Sequence, residues 1–271
     1  VGQGIKQAID MGLCERKDLF IVTKLWNTFH HPDDVETCCQ KSLSDLGIDY
    51  IDLYLIHFPI SQPFVPVEHR YPPEWVHEPK AKRPRMELAS VPLHMTWPAM
   101  EALVDKGLVR NIGVANMGSA MLRDLLCYAR IAPQVLQVEL HPFNTQEKLV
   151  RFAKEVGIVV TGFSPLGAGS YVCLDMATES ESALLHPAVV DVAKAHGKTP
   201  AQVLLRWALQ RGISTIPKTT KEARLVENIG LFDFELDGEQ MQKISALNKG
   251  RRFNDPGEFC QGMGQFCPIY D

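Results

Sequence analysis

The sequence predicts an α/β protein, a β/α barrel, and three observations carry that prediction. Short apolar, β-branched runs alternate with amphipathic stretches from end to end. The amphipathic stretches open on caps or prolines and close on glycines. Lys24, His57, Asn116, Gln137, Ser164 and Lys218 stand at or near the C-terminal ends of six different apolar runs, where a barrel of this type places its active site. A doubly wound open sheet also builds its site at strand ends, but it carries a glycine-rich phosphate loop after its first strand, and no such fingerprint occurs here.

The runs read as buried parallel strands are 19–25, 51–57, 109–116, 135–141, 158–164 and 213–218. Between them, a helix over 31–46 is capped near Pro32, Asp33 and Asp34 and stops at Gly47. The helix from about 96 to 106 stops at Gly107, and that over 145–156 stops at Gly157. A further helix over 187–196 stops at Gly197; Thr199 and Pro200 then open another, with proline at the first helical position, that ends near Gly212. Strand–helix alternation of this kind implies right-handed parallel crossovers. Residues 61–92 form a long connection rich in proline and charge, read as an active-site-side loop of a single domain over 1–271, with 251–271 as a tail loop. Its basic run from Lys80 to Arg85 reads as a solvated loop rather than a nucleic-acid site.

Composition narrows the function classes. A hydrophobic content of 45 % suits a globular core and excludes disordered and fibrous readings. Lys and Arg total 28 against 32 Asp and Glu, and the net charge of −4 argues against nonspecific binding to nucleic acid or anionic membrane. No stretch approaches the roughly 20 apolar residues a membrane helix requires. The seven cysteines lack metal-ligand spacing and form an odd set, so reduced thiols in a cytosolic protein and no metal are expected. The opening Val1, Gly2, Gln3 and Gly4 carry no signal-peptide pattern.

Three stretches resemble the aldo-keto reductase family, and the resemblance runs over essentially the whole chain. They are 100–116, with Lys106, Gly107, Arg110 and Gly113 to Asn116; 137–142, from Gln137 to Pro142; and 216–228, from Ile216, Pro217 and Lys218 to Glu227 and Asn228. Phe64, Val65, Pro66, Tyr71, Pro72 and Pro73, with the tail from Arg252 to Pro256, are most similar to the xylose and aldose reductase branch.

That resemblance implies a full-length parent with a (β/α)8 barrel that reduces an aldehyde or ketone, such as an aldose, to the alcohol with NADPH; some reductases of the branch also accept NADH. Hydride addition creates an alkoxide, so the site needs a proton donor beside the carbonyl oxygen. Lys24 matches the family lysine that makes the acid's proton easier to lose, and His57 the histidine that orients the carbonyl. Asn116 and Gln137 match positions that hold the nicotinamide carboxamide, and Phe163 takes the place of the tyrosine stacking on its ring. Ala115 replaces the usual serine, deleting one hydroxyl partner. Ser164, Pro165, Leu166 and Gly167 match the loop beside the pyrophosphate, Lys218, Thr219 and Arg224 the 2′-phosphate site, and Glu227 and Asn228 the adenine contacts. Trp26, Phe58, Trp75 and Phe259 are expected pocket walls. The implied partner is a small carbonyl substrate, for a cytosolic monomer or weak dimer.

The family's catalytic Asp and Tyr lie upstream of its lysine strand, and none of the six tyrosines matches the acid's motif. The expectation is therefore a barrel lacking its N-terminal segment, with about six of eight strands, open edges and no activity as given. Two alternatives stay open: a non-catalytic NADP-binding or structural homologue, and an inactive fragment of a longer parent.

Overall fold

A computed structural model describes residues 1–270, in two compact units: 1–136 with 256–270, and Gln137–Asp255. In the first unit, helix α1 (Gly2–Asp10) precedes strand β1 (Val22–Leu25), α2 (Pro32–Leu46), β2 (Ile51–Ile56), α3 (Leu93–Asp105), β3 (Val109–Ala115) and α4 (Ser119–Tyr128). Strand β4 (Val135–Glu139) begins there and ends in the second unit.

Strands β1, β2 and β3 are parallel neighbours in that order, with Lys24 opposite Leu55 and Leu55 opposite Gly113. All six residues of β2 are buried, as a central parallel strand requires. Its one charge, Asp52, is held by the Arg16 guanidinium at 2.8 Å and the Ile21 N–H at 2.9 Å. At Gly113 a Cβ would lie 2.4 Å from the Val135 carbonyl oxygen, so only glycine lets β3 pass the start of β4 at this distance. The first apolar run is shorter and wetter than its composition predicts. Only Val22–Leu25 is strand, and Phe20 is 66 % exposed, because β1 pairs with β2 alone.

Helix α2 follows its predicted bounds, ending on Gly47 in the left-handed region at φ 67°. Residues 57–92 contain no helix or strand but are packed, with Val65 and Met86 buried and the Met86 N–H donating to Met263 O. Helix α10 (Pro256–Phe259) and the 3-10 turn Cys260–Met263 belong to the same unit, where Phe58, Ile60, Met86, Cys260 and Cys267 form one apolar cluster. No disulfide joins any of the seven cysteines.

The second unit continues with α5 (Glu147–Glu155), β5 (Val159–Phe163), short 3-10 turns within 168–185, α6 (Pro187–His196), α7 (Pro200–Gln210), β6 (Ser214–Thr215), α8 (Glu222–Ile229) and α9 (Gly238–Ser245). Strands β5 and β6 are parallel, with Thr161 opposite Ser214. The sixth run, predicted as strand over 213–218, pairs over two residues only: Ile216 is half exposed and Pro217 has no N–H to give a ladder. Thr199 and Gln202 close a reciprocal capping box on α7, and Val203, Leu204, Trp207 and Ala208 bury its inner face.

Candidate active site

The first unit gathers an aromatic wall around a lysine and a histidine. Lys24 lies in β1, and His57 is the residue after β2. The His57 ring stacks on Phe58 at 4.9 Å and meets the edge of Trp26 at 5.1 Å. Trp26 also contacts Trp75 at 5.1 Å, Phe58 contacts Trp75 at 5.0 Å, and Trp75 contacts Phe259 at 5.2 Å. All four expected pocket aromatics therefore touch. The Trp26 Nε1–H donates to Glu74 O at 3.0 Å, which ties the long connection to this wall.

Burial governs the charges here. It lowers the Lys24 pKa, and among the described residues no carboxylate or hydroxyl lies within hydrogen-bond reach of its ammonium. His57 is pushed down to about 3 by burial first, then by the Lys24 and His30 charges, so its imidazole is neutral at physiological pH and has one N–H to donate.

Asn116 follows β3 with φ 58°, a left-handed conformation that asparagine tolerates better than most residues. Its Nδ2 donates to His57 O at 2.8 Å, and its Oδ1 accepts from the Tyr270 hydroxyl at 3.0 Å. Two donors and two lone pairs exceed these two bonds, so the amide retains capacity for a further carboxamide. No motif flagged Tyr270; only its place in the tail read as pocket-forming pointed to it.

The second unit holds a cleft of about 320 Å³ lined by Ser164 to Gly167 and by Lys218 to Lys221 with Arg224. Lys218, Lys221 and Arg224 have no carboxylate partner among the described residues. Three cations without a carboxylate partner, lining one cleft with Gly167 and Gly169, suit a phosphate-rich ligand, so these residues fit a dinucleotide. Thr219 Oγ1 caps the turn into α8 by accepting from the Lys221 N–H at 3.1 Å. Gln137 lies in β4, 4 % exposed, and Phe163 ends β5. Ser164 has φ 49°, and its hydroxyl lies 2.7 Å from that of Tyr171, a partner not foreseen from sequence.

On α8, Glu227 accepts from the Thr199 hydroxyl at 2.6 Å, so one of its oxygens is engaged inside the unit; Asn228 is half-buried beside it. No group of three or more His, Cys, Asp or Glu among the described residues is placed to hold a metal ion, and no described helix is long and apolar enough to cross a membrane.

The model of the aldo/keto reductase family matches residues 1–249. The chain is 50 % identical over 260 residues to a probable NAD(P)H-dependent D-xylose reductase of Emericella nidulans, covering 95 % of this chain and 80 % of that protein. Among solved structures, the aldose reductase of Schistosoma japonicum superposes with a TM-score of 0.84 at 34 % identity, over 98 % of this chain and 80 % of that one. The aldo-keto reductase of Bombyx mori in complex with NADP gives 0.81 at 35 % identity, over 96 % and 77 % respectively.

Proposed function

The chain belongs to the aldo/keto reductase family, and from that membership we propose that it reduces the carbonyl of an open-chain aldose, D-xylose foremost, to the alcohol with NADPH, and with NADH as a second cofactor. The observation that carries this reading is the cationic cleft of the second unit, lined by Lys218, Lys221 and Arg224 together with Ser164. NADPH supplies the hydride when bound. Lys218, Thr219 and Arg224 grip its 2′-phosphate, Ser164 and Leu166 flank the diphosphate, and Glu227 and Asn228 meet the adenine. Asn116 and Gln137 orient the carboxamide, and Phe163 offers a face to the nicotinamide. In the first unit the neutral His57 donates a hydrogen bond to the substrate's carbonyl oxygen, the Lys24 ammonium stabilises the alkoxide that hydride addition forms, and that alkoxide takes its proton from water, leaving hydroxide to solvent. Trp26 and Phe58 supply an apolar wall against the sugar carbons. The chain acts as one catalytic domain in the cytosol, as a monomer or weak dimer.

One observation favours a second reading, a dinucleotide binder without turnover: no phenol stands within hydrogen-bond reach of Lys24 among the described residues. Two measurements separate the readings. Tryptophan fluorescence, titrated with NADPH and NADH, reports binding, and loss of NADPH absorbance with D-xylose reports turnover. Saturable binding with xylose-dependent oxidation supports the reductase; binding without oxidation of any aldose supports the binder; absence of binding overturns both.

A further inference from the structure

We propose that Tyr171 is a positioning residue for dinucleotide binding: its hydroxyl fixes the Ser164 side chain so that Ser164 turns its own O–H toward the diphosphate shared by NADPH and NADH. The inference rests on the reading of the second unit's cleft as the cofactor site.

Ser164 lines that cleft together with Lys218 and Arg224, on backbone held at φ 49°. A serine there is strained and its hydroxyl is a free rotor unless something fixes both. The Tyr171 oxygen does so at 2.7 Å. With the phenol donating, the Ser164 oxygen is spent as an acceptor, and its hydrogen is left for an anionic oxygen in the cleft. Burial raises the Tyr171 pKa, which keeps the phenol protonated and able to donate, while the Asn254 amide bears on the same hydroxyl.

Tyr171 is in turn anchored from behind. Its ring stacks on Phe253, with centroids 5.5 Å apart and planes at 17°. The Phe253 and Asn254 N–H groups each donate at 2.8 Å to the two oxygens of Glu139. Glu139 is fully buried and meets the His141 Nε2 at 2.8 Å. A carboxylate with this many donors is costly to move, so the phenol has a rigid seat. The polar end of this seat, the Tyr171 hydroxyl, meets the cleft residue Ser164.

Tyr171→Phe keeps the ring stack and removes only the hydroxyl. The expected result is a weakening of about fivefold in the dissociation constants for NADPH and NADH alike, the scale of one hydrogen bond, with the ratio between the two cofactors unchanged. Ser164→Ala removes the receiver, so the double variant is expected to bind no more weakly than Ser164→Ala alone. Unchanged binding of both cofactors by Tyr171→Phe, weakening for NADPH only, or full multiplication of the two effects overturns the inference. A parent chain that binds neither dinucleotide overturns the cofactor reading and this inference with it.

Discussion

Lys218, Lys221 and Arg224 repel one another across one cleft, and an anion entering it relieves that repulsion while gaining charge-assisted hydrogen bonds. Arg224 is the fork-shaped donor of the three, suited to two phosphate oxygens at once. Arg224→Ala is expected to raise the KM for NADPH by about 30-fold, or roughly 2 kcal/mol, and to leave the KM for NADH within about twofold, as initial rates with each cofactor will show. His57, whose pKa burial pushes down to about 3, is the neutral donor of the proposed mechanism rather than an acid. His57→Ala is expected to lower kcat by about 100-fold, the usual loss for one donor at a developing oxyanion, with NADPH affinity unchanged. The pH profile of kcat between 5 and 8 will show no inflection that disappears in this variant. Were such an inflection found, the imidazole would be titrating and its role as a neutral donor would fail.

At the scale of elements, β2 and β3 are the most constrained part of the first unit. Gly113→Ala would drive a Cβ to 2.4 Å from Val135 O and 2.8 Å from the Leu55 side chain. The neighbour at 2.4 Å is backbone and cannot swing aside, so a loss of at least about 2 kcal/mol is expected, read as a lower urea midpoint at unchanged slope. The strand buried along its whole length, β2, was legible in the sequence, as was β3, whose Ile112 to Ala115 are buried although Arg110 is exposed. Helices ending on left-handed glycines, α2 at Gly47 and α6 at Gly197, were equally legible, because that conformation nearly dictates the residue. Helices α4 and α9 were not legible in the sequence: they bury only Leu122 and Leu125, and Ile244. Such narrow apolar stripes resemble loops in composition. Lys24, His57, Asn116 and Lys218 stand out in the sequence because each lies at or near the end of an apolar run. Tyr171 and Tyr270 do not: each reaches its partner, Ser164 or Asn116, through a segment without periodicity.

Across the whole chain, acid is expected to act on the two units in separate pH windows. In the first unit His30 and His57 have folded-state pKa values of about 4 and about 3, against 6.5 ordinarily, and burial is the leading cause for both. Below pH 6.5 the unfolded chain therefore binds protons that the folded chain refuses. Their stabilising contribution is complete above pH 6.5 and is lost as the pH falls toward 4 and then 3, at up to about 1.4 kcal/mol per pH unit for each histidine. The second unit carries a different titrating contact: Glu181, bonded to Arg251 at 2.7 Å, is held down at about 2, so its contribution begins to fail only below pH 4.5. Hydrogen-exchange protection factors should accordingly fall in β2 and β3 between pH 7 and pH 5 while those of α6 and α7 hold. In His30→Gln, which retains polarity at a site 3 % exposed but cannot take up the proton, the fall in β2 and β3 should be shallower. Protection in β2 and β3 that is flat from pH 7 to 5, or as steep in His30→Gln as in the parent, would show that these buried imidazoles do not set the acid limit.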